Sequence, residues 1–294
     1  MLLIEVFMSF AFLSPTPLQS FDFASCKVYI KRDDLLHPLF SGNKARKFAS
    51  LLKEDLKDKT LISYGGNQSN ALQSLSSLAL LKGSRLIYFT TPFSKALLEQ
   101  REGNFAYAFS SGVVEFVQTP FPQQEAHSFA TSNPQMLFIP QGGSVELAME
   151  GMRELDKELR EQTAHLHSPI FFYSSGIGTA SIALAQYGLE VYTALGAGKM
   201  EDLLERVNAY EKKPKILSSE FHTPFGKPHA KVWEVYKAWR ENGVEFDLLY
   251  DCVLWVKILE NLERFSQREI VFIHSGGLLG NITQEKRYRL KKLC

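Results

Sequence analysis

A lysine follows a small-residue turn near the start of the chain, in the segment 41–48 with the sequence SGNKARKF. Apolar residues at 48, 51, 52 and 56 recur at helical spacing, so Lys44 lies in the first turn of a predicted amphipathic helix. A first turn usually prefers acids, yet this one carries the three cations Lys44, Arg46 and Lys47. Departures of this kind tend to mark functional sites. In a positive, partly desolvated setting a lysine loses its proton easily, which suits it to Schiff-base chemistry.

Glycine-rich turns follow four of the predicted strands, at the sheet edge where ligands collect in such folds. They lie at 65–66, 142–143, 174–179 and 276–277. One turn of this kind is ordinary, but four indicate a backbone-lined site. The segment 174–179, SSGIGT, opens a helix, and backbone amides there favour a phosphate group. It lacks the Walker lysine and the full dinucleotide pattern, so a nucleotide is disfavoured.

Three polar residues next to these turns each have two interpretations. Ser69 and Asn70 begin a predicted helix and are most simply caps, although they could also contact a ligand. Ser275 follows a predicted buried strand, so its hydroxyl either bonds a ring nitrogen or is satisfied by nearby backbone. Asp251 precedes an apolar helix and is most simply its N-cap. The seven histidines show no metal-ligand spacing, so no metal site is predicted.

The secondary-structure pattern is typical of the α/β class, with mostly parallel sheets flanked by helices. The stretch 119–135, with its proline and glutamines, is predicted to be a loop or irregular connection. Predicted strands are 28–31, 61–64, 85–90, 113–117, 137–140, 170–174, 191–195 and 270–274. Predicted helices are 43–58, 69–82, 95–102, 145–162, 179–187, 200–212, 228–242, 252–265 and 282–290.

Net charge and cysteine content indicate which binding partners are disfavoured and in which redox compartment the protein is expected. The net charge of +1 gives no electrostatic case for binding nucleic acid or an anionic membrane. Three scattered cysteines, Cys26, Cys252 and Cys294, argue against a disulfide framework and favour a reducing, cytoplasmic compartment. No basic region precedes the apolar residues 1–13 and no small-residue cleavage site follows, so a folded N-terminal segment is expected. No stretch is long and apolar enough to span a bilayer.

Taken in order, these motifs resemble the pyridoxal 5'-phosphate (PLP) enzymes built on the tryptophan synthase β-subunit fold, known as PLP fold type II. The closer resemblance is to the D-cysteine desulfhydrase and 1-aminocyclopropane-1-carboxylate (ACC) deaminase family. Any one motif is weak, but the ordered set is specific and runs over nearly the whole chain. The pieces are YIKRDD at 29–34, GNKARK at 42–47, QSN at 68–70, IPQGGS at 139–144 and FIHSGG at 272–277.

The resemblance implies roles for particular residues. Lys44 would hold PLP through its amino group and later move a substrate proton. Ser69 would bind the substrate carboxylate, and Asn70 would bind the ring hydroxyl of the cofactor. Tyr250, in the family's Asp-x-x-Tyr pattern, would protonate the leaving group or orient the substrate. The phosphate of the cofactor would be held by Ser175, Gly176, Gly178 and Thr179.

Two residues compete for the pyridine nitrogen. Ser275 matches the hydroxyl that meets this nitrogen in the desulfhydrases, and Asp251 lies where the deaminases carry glutamate. A carboxylate would keep the ring protonated, whereas a serine tolerates a neutral ring, which suffices for β-elimination. The resemblance favours Ser275, because serine or threonine is the commoner solution in this fold.

Two departures from the family concern the substrate. Phe225, in TPFGKP at 223–228, stands where the family usually has a tyrosine, which puts cyclopropane ring opening in doubt. Cys252 stands where a glycine is usual. The predicted function is therefore PLP-dependent α,β-elimination from D-cysteine or a related β-substituted amino acid, giving pyruvate, ammonia and sulfide. The alternatives are an ACC deaminase, an amino-acid racemase or β-replacement enzyme, and a non-catalytic PLP-binding protein.

Two domains are expected. A large PLP-binding domain would comprise 1–46 and 147–294, and a small domain, 47–146, would close over the small amino-acid substrate and exclude water. A homodimer is expected from the resemblance alone.

Overall fold

The computed structural model describes residues 12–294, and the expectation for the segment 1–13 falls outside them except at its last two residues. Strands of the described part form one six-stranded and one four-stranded sheet. The strands are β1 (Leu18–Phe23), β2 (Cys26–Lys31), β3 (Thr60–Tyr64), β4 (Arg85–Thr90), β5 (Val114–Gln118), β6 (Leu137–Phe138), β7 (Pro169–Tyr173), β8 (Val191–Thr193), β9 (Lys215–Ile216) and β10 (Glu269–Ile273).

Helices alternate with these strands along most of the described chain. Within residues 12–294, none of them combines the length and apolar character that crossing a bilayer requires. They are α1 (Gly42–Lys47), α2 (Ala49–Lys53), α3 (Asn70–Lys82), α4 (Lys95–Glu99), α5 (Gly103–Ser110), α6 (Pro122–Ser132), α7 (Val145–Gln162), α8 (Thr179–Ala185), α9 (Met200–Asn208), α10 (Ala230–Glu241), α11 (Asp251–Leu259) and α12 (Asn281–Leu290).

Both sheets are mainly parallel, as the sequence predicts for this α/β class. The larger has the order β1-β2-β10-β7-β8-β9, and only β1 runs antiparallel to its neighbour. The smaller has the order β5-β4-β3-β6, and all its pairs are parallel. The smaller sheet uses strands between residues 60 and 138, and the larger uses the rest. The division of the chain into two domains remains a prediction.

The register of the larger sheet brings the predicted motifs to one edge. Ile273 of β10 pairs with Lys31 of β2 on one side and with Tyr173 of β7 on the other. The strands are parallel, so their carboxyl ends coincide. The residues that follow, including Ser175 and Ser275, therefore leave the sheet beside one another.

Aromatic side chains fill the space between the larger sheet and helices α10 and α11. Trp255 stacks on Phe272 of β10 with ring centroids 4.7 Å apart, and Trp239 lies 4.8 Å from Trp255. Cys252 is fully buried in the same cluster, and burial raises the pKa of its thiol well above the usual value. Cys252, which stands where the family usually has a glycine, therefore packs in the core and does not face the glycine-rich turns.

Several elements differ from the sequence predictions. The helix predicted at 43–58 is interrupted at Phe48, whose φ of −103° and ψ of 15° end α1, and α2 continues only to Lys53. The predicted loop at 119–135 is wrong, because α6 occupies most of it. Pro122 is tolerated in the first turn of α6, and Ala126 is buried on the smaller sheet. Strands β1 and β9 and helix α5 have no counterpart among the predicted elements.

A cluster of four charged side chains lies behind α1. Arg46 makes two forked contacts: with Asp33 at 2.8 and 3.0 Å, and with Glu158 of α7 at 2.8 and 2.9 Å. Lys31 is fully buried and donates both to Glu158 and to the carbonyl of Thr16. Such forked contacts fix orientation as well as distance. The cluster therefore joins β2, α1 and α7 at one place.

Electrostatics favour the charged form of this cluster. Burial alone would raise the pKa of Glu158, but the hydrogen bonds and charges of Arg46 and Lys31 outweigh burial and lower it to about 2. The backbone packing is equally close, since a Cβ built on Gly151 of α7 would lie 1.9 Å from the carbonyl oxygen of Arg46. Helix α1 thus rests on α7 through charge pairs and through direct backbone contact.

We expect Arg46→Met to lower the free energy of unfolding by about 3–5 kcal/mol, because it removes the cation that forms ion pairs with the buried carboxylates of both Asp33 and Glu158. The matched control is Lys53→Met. Lys53 also bridges two acids, Glu150 and Glu154, but its side chain is 59% exposed, so we expect a loss of about 0–1 kcal/mol. Urea unfolding at neutral pH measures both values. Equal losses in the two variants would contradict the structural role of the cluster.

Candidate active site

A cavity of about 760 Å³ lies where strands of both sheets end. This volume is in the range of small-molecule sites, roughly 300–1,000 Å³. Three of the four glycine-rich turns supply residues to its wall, and the fourth, at 65–66, is flanked by Tyr64 and Ser69, which line it. Its wall includes Lys44, Lys47, Tyr64, Ser69, Asn70, Gln141, Gly142, Ser175, Gly176, Thr179, Arg206, Tyr210, Tyr250, Ser275 and Gly277.

Lys44 reaches this cavity from α1. Its Nζ donates to Oδ1 of Asn43 at 3.0 Å, and burial lowers the pKa of the amine. The start of α1 packs closely on the end of β10, since a Cβ on Gly42 would lie 2.0 Å from the carbonyl oxygen of Ser275. Gly42 also has a φ of +60°, which favours glycine. The turn that presents Lys44 is therefore fixed by close backbone contact.

The positive setting predicted around Lys44 is only partly present. Arg46 points away from the cavity into the charge cluster, where Asp33 and Glu158 neutralise it. Lys47 does line the cavity, and its Nζ donates to the carbonyl of Gly142 at 2.6 Å. Burial, together with the nearby charges of Lys44 and Arg206, lowers the pKa of Lys47 well below its usual value. Desolvation therefore lowers the pKa values of Lys44 and Lys47 more than the neighbouring cations do.

Ser69 and Asn70 lie on the cavity wall at the start of α3. Ser69 caps this helix, since its Oγ accepts from the amide of Ala71 at 3.1 Å. The side-chain oxygen of Asn70 accepts from Nδ2 of Asn104 at 2.7 Å. A Cβ at Gly277 would lie 2.3 Å from Nδ2 of Asn70, so only a glycine leaves room for this amide. The capping interpretation is confirmed for Ser69, and the ligand roles remain predictions.

The turn between β7 and α8 exposes backbone and small side chains to the cavity. The cavity is lined by Ser175, Gly176 and Thr179. Gly178 does not line it, and its amide instead donates to Oγ of Ser175 at 2.7 Å, inside the turn. Arg206 of α9 approaches the same turn and donates through Nη2 to Oγ1 of Thr179 at 3.2 Å.

The atoms at this turn fit the phosphate of PLP. Nε of Arg206 is buried and has no hydrogen-bond partner among the described atoms. A bound anion would satisfy such a donor, and Lys44 and Lys47 line the same cavity.

Among the described residues, no group of three or more His, Cys, Asp or Glu side chains is arranged to hold a metal ion.

Tyr250 lines the cavity beside the turn at 175–179. A Cβ on Gly176 would be 3.5 Å from its ring, and one on Gly196 would be 2.7 Å from it, so small residues make space for the phenol. Burial, and secondarily the charge of Asp247, raises the pKa of Tyr250. Phe225 lies beside it with ring centroids 5.5 Å apart. The phenol therefore keeps its proton at neutral pH and can act as a donor.

The structure separates the two candidates for a ring nitrogen. Ser275 lines the cavity, whereas Asp251 lies behind it, fully buried, and accepts the amide of Ser275 at 3.0 Å. The N-cap interpretation of Asp251 is wrong. Asp247 instead accepts the amides of Leu249, Tyr250 and Asp251 at 2.8–2.9 Å.

Some residues of the site carried no signal in the sequence. Arg206 lies on the amphipathic helix α9 and Tyr210 lies just after its end. In the sequence both look like solvated side chains, and only the tertiary fold directs them to the cavity. Asp247 is the acid of the family's Asp-x-x-Tyr pattern, and that pattern alone does not predict its structural role. Its spacing does, because an acid that precedes Tyr250 by three residues can accept the backbone amides at the start of a helix.

Comparison with known proteins gives relatives over almost the full length. The chain is 25% identical over 309 residues to a Thermotoga maritima protein provisionally named 1-aminocyclopropane-1-carboxylate deaminase, covering 94% of this chain and 97% of that one. It is 24% identical over 320 residues to D-cysteine desulfhydrase of Salmonella choleraesuis, covering 90% and 92%. No family model matches the chain.

A solved structure agrees with these relatives. One described as an ACC deaminase homologue superposes with a TM-score of 0.75, covers 99% of both chains and is 20% identical. The resemblance drawn from the motifs is thus confirmed by the names of the relatives, and the predicted fold class is confirmed by the solved structure.

We expect Lys44 to react as a free amine at lower pH than an ordinary lysine, because burial lowers its pKa. Trace labelling of the cofactor-free protein with acetic anhydride across pH 6–11 measures this, read peptide by peptide. Lys53 is the internal control, since its bonds to Glu150 and Glu154 raise its pKa. The labelling curve of Lys44 should lie at lower pH than that of Lys53. Coincident curves would show that the cavity does not desolvate Lys44.

Proposed function

We propose that this PLP-dependent enzyme, similar to D-cysteine desulfhydrase and ACC deaminase proteins, is a lyase acting on D-cysteine or a related β-substituted amino acid. One observation carries the proposal: the amine of Lys44 and the phosphate-sized turn at 175–179 face one cavity. Lys44 would hold the cofactor covalently. Ser175, Gly176, Thr179 and Arg206 would hold its phosphate, with Gly178 supporting the turn, and Asn70 and Ser275 would contact its ring.

The protein would supply the proton transfers. Bound PLP provides an electron sink for negative charge at the substrate α-carbon. Once the substrate amine has replaced Lys44 on the cofactor, the freed Lys44 amine, whose pKa burial lowers, would take the α-proton as general base. Tyr250 keeps its phenol proton and gives it to the departing sulfur, and Ser69 binds the substrate carboxylate. The Cα–H and Cβ–S bonds break, and water then converts the released aminoacrylate to pyruvate and ammonia.

Phe225 supports elimination over cyclopropane ring opening. It lies beside Tyr250 and is 53% exposed, but it has no phenol to give or accept a proton. Of this aromatic pair, Tyr250 is therefore the residue that can supply a phenolic proton. The name of the Thermotoga relative keeps ACC deamination as the alternative, which would yield 2-oxobutyrate in place of pyruvate.

We expect purified protein loaded with PLP to release pyruvate from D-cysteine. Lys44→Ala should abolish release, and Tyr250→Phe should lower kcat by about 10²-fold or more, because each removes a proton-transfer group. Lys53→Ala, an exposed lysine on the same segment, is the control that keeps full activity. A coupled pyruvate assay with D- and L-cysteine measures the rates.

Two results would contradict this function. Undiminished release by Lys44→Ala would remove the base assignment. Release of 2-oxobutyrate from the cyclopropane substrate, with no pyruvate from D-cysteine, would favour the deaminase instead.

A further inference from the structure

Two buried carboxyl groups, those of Asp247 and Asp251, lie directly behind Ser275. Both are at most 2% exposed, and neither lines the cavity. Asp247 Oδ2 is 3.3 Å from the hydroxyl of Ser275, and Asp251 Oδ2 accepts its amide. Ser275 is thus the residue through which this pair meets the cavity.

His274 does not neutralise the pair. Its Nε2 lies 2.7 Å from the carbonyl oxygen of Glu245, which can only accept, so Nε2 carries a proton. Its Nδ1 lies 3.0 Å from the amide of Gly276, which can only donate, so Nδ1 is an acceptor. His274 is therefore the neutral tautomer, although Asp251 lies 3.4 Å from Nδ1.

Hydrogen bonding indicates which carboxyl group carries the charge. Asp247 receives three backbone amides and the Ser275 hydroxyl, and every one of these groups can donate. A carboxylate accepting two or three amides is strongly favoured in its ionised form. Asp251 instead pairs with the hydroxyl of Ser174, which can accept a proton as well as donate one.

Two adjacent buried carboxyl groups cannot both ionise easily. Burial raises the pKa of both groups. With the charge of Asp247 it raises that of Asp251 well above its usual value, whereas on Asp247 three backbone amides oppose part of the rise. The pair therefore holds one negative charge, on Asp247, and Asp251 is a neutral acid.

This charge orients the Ser275 hydroxyl. A hydroxyl has one hydrogen, and a hydrogen bond to a carboxylate is stronger than one to a neutral acceptor. The hydrogen of Ser275 therefore points to Asp247, and its lone pairs face the cavity. A ligand atom at this position must then bring its own hydrogen.

We propose that Asp247, acting through Ser275, holds the ring nitrogen of the cofactor in its protonated form. The proposal rests on the proposed function in taking Ser275 as the neighbour of that nitrogen. It departs from the expectation that a serine leaves the ring neutral, because a buried carboxylate lies behind this serine. Asp247 is thus a positioning residue that never touches the cofactor, and a protonated ring is the stronger electron sink.

The test is the ¹⁵N chemical shift of PLP labelled at the ring nitrogen and bound to the full chain. A protonated nitrogen and a neutral one give well-separated shifts, and the readout does not depend on turnover. We expect the protonated shift in the wild type and in Ser275→Thr, which keeps the hydroxyl. We expect the neutral shift in Ser275→Ala and in Asp247→Asn.

Every outcome decides the matter. Wild-type protein that holds PLP covalently but shows a neutral nitrogen contradicts this inference alone. A protonated nitrogen in Ser275→Ala also contradicts it. Wild-type protein that binds no PLP contradicts the proposed function as well. Asp247 also supports α11, so Asp247→Asn could fail to fold; the Ser275→Ala and Ser275→Thr pair then decides, because both keep Asp247.

Discussion

The position of Lys44 depends on the forked contacts of Arg46 with Asp33 and Glu158. Lys44 lies on a helix of only six residues, too short to be stable by itself. Arg46, two residues further on, ties that helix to the turn after β2 and to α7, away from the cavity. Close backbone contacts at Gly42 and Gly151 complete the attachment. A reactive amine is thus held in place by charges that take no part in its chemistry.

Burial acts on the two sides of the cavity in opposite ways. On the α1 side it lowers the pKa of the lysines and favours neutral amines. Behind Ser275 it raises the pKa of Asp251 and leaves one negative charge, on Asp247. Tyr250, on the same cavity, keeps its proton because burial raises its pKa. An amine with a lowered pKa, a protonated phenol and a buried carboxylate are thus gathered around one cavity by their different environments.

The sequence predicted much of the fold and of the cavity wall, because both rest on local patterns. Glycine turns after parallel strands predicted a backbone-lined site, and the family resemblance placed Lys44, Ser69 and Ser275 in it; all three line the cavity. Contributions that arise only from packing were missed. Arg206 reaches the turn from a helix that looks solvated, and Arg46 turns away from the site because distant Glu158 binds it. Asp247 and not Asp251 has the capping role, since α11 begins at Asp251 itself and Asp247 accepts the amides of the turn that leads into it.

The measurement that tests the account most directly is the identity of the lysine that holds the cofactor. The protein is loaded with PLP, reduced with borohydride, digested and analysed by mass spectrometry. The account predicts a pyridoxyl group on Lys44. Lys47 is the informative rival, because it lines the same cavity and its pKa is also lowered by burial. Modification of Lys47, or of neither lysine, would contradict the assignment of Lys44 as the residue on which the chemistry depends.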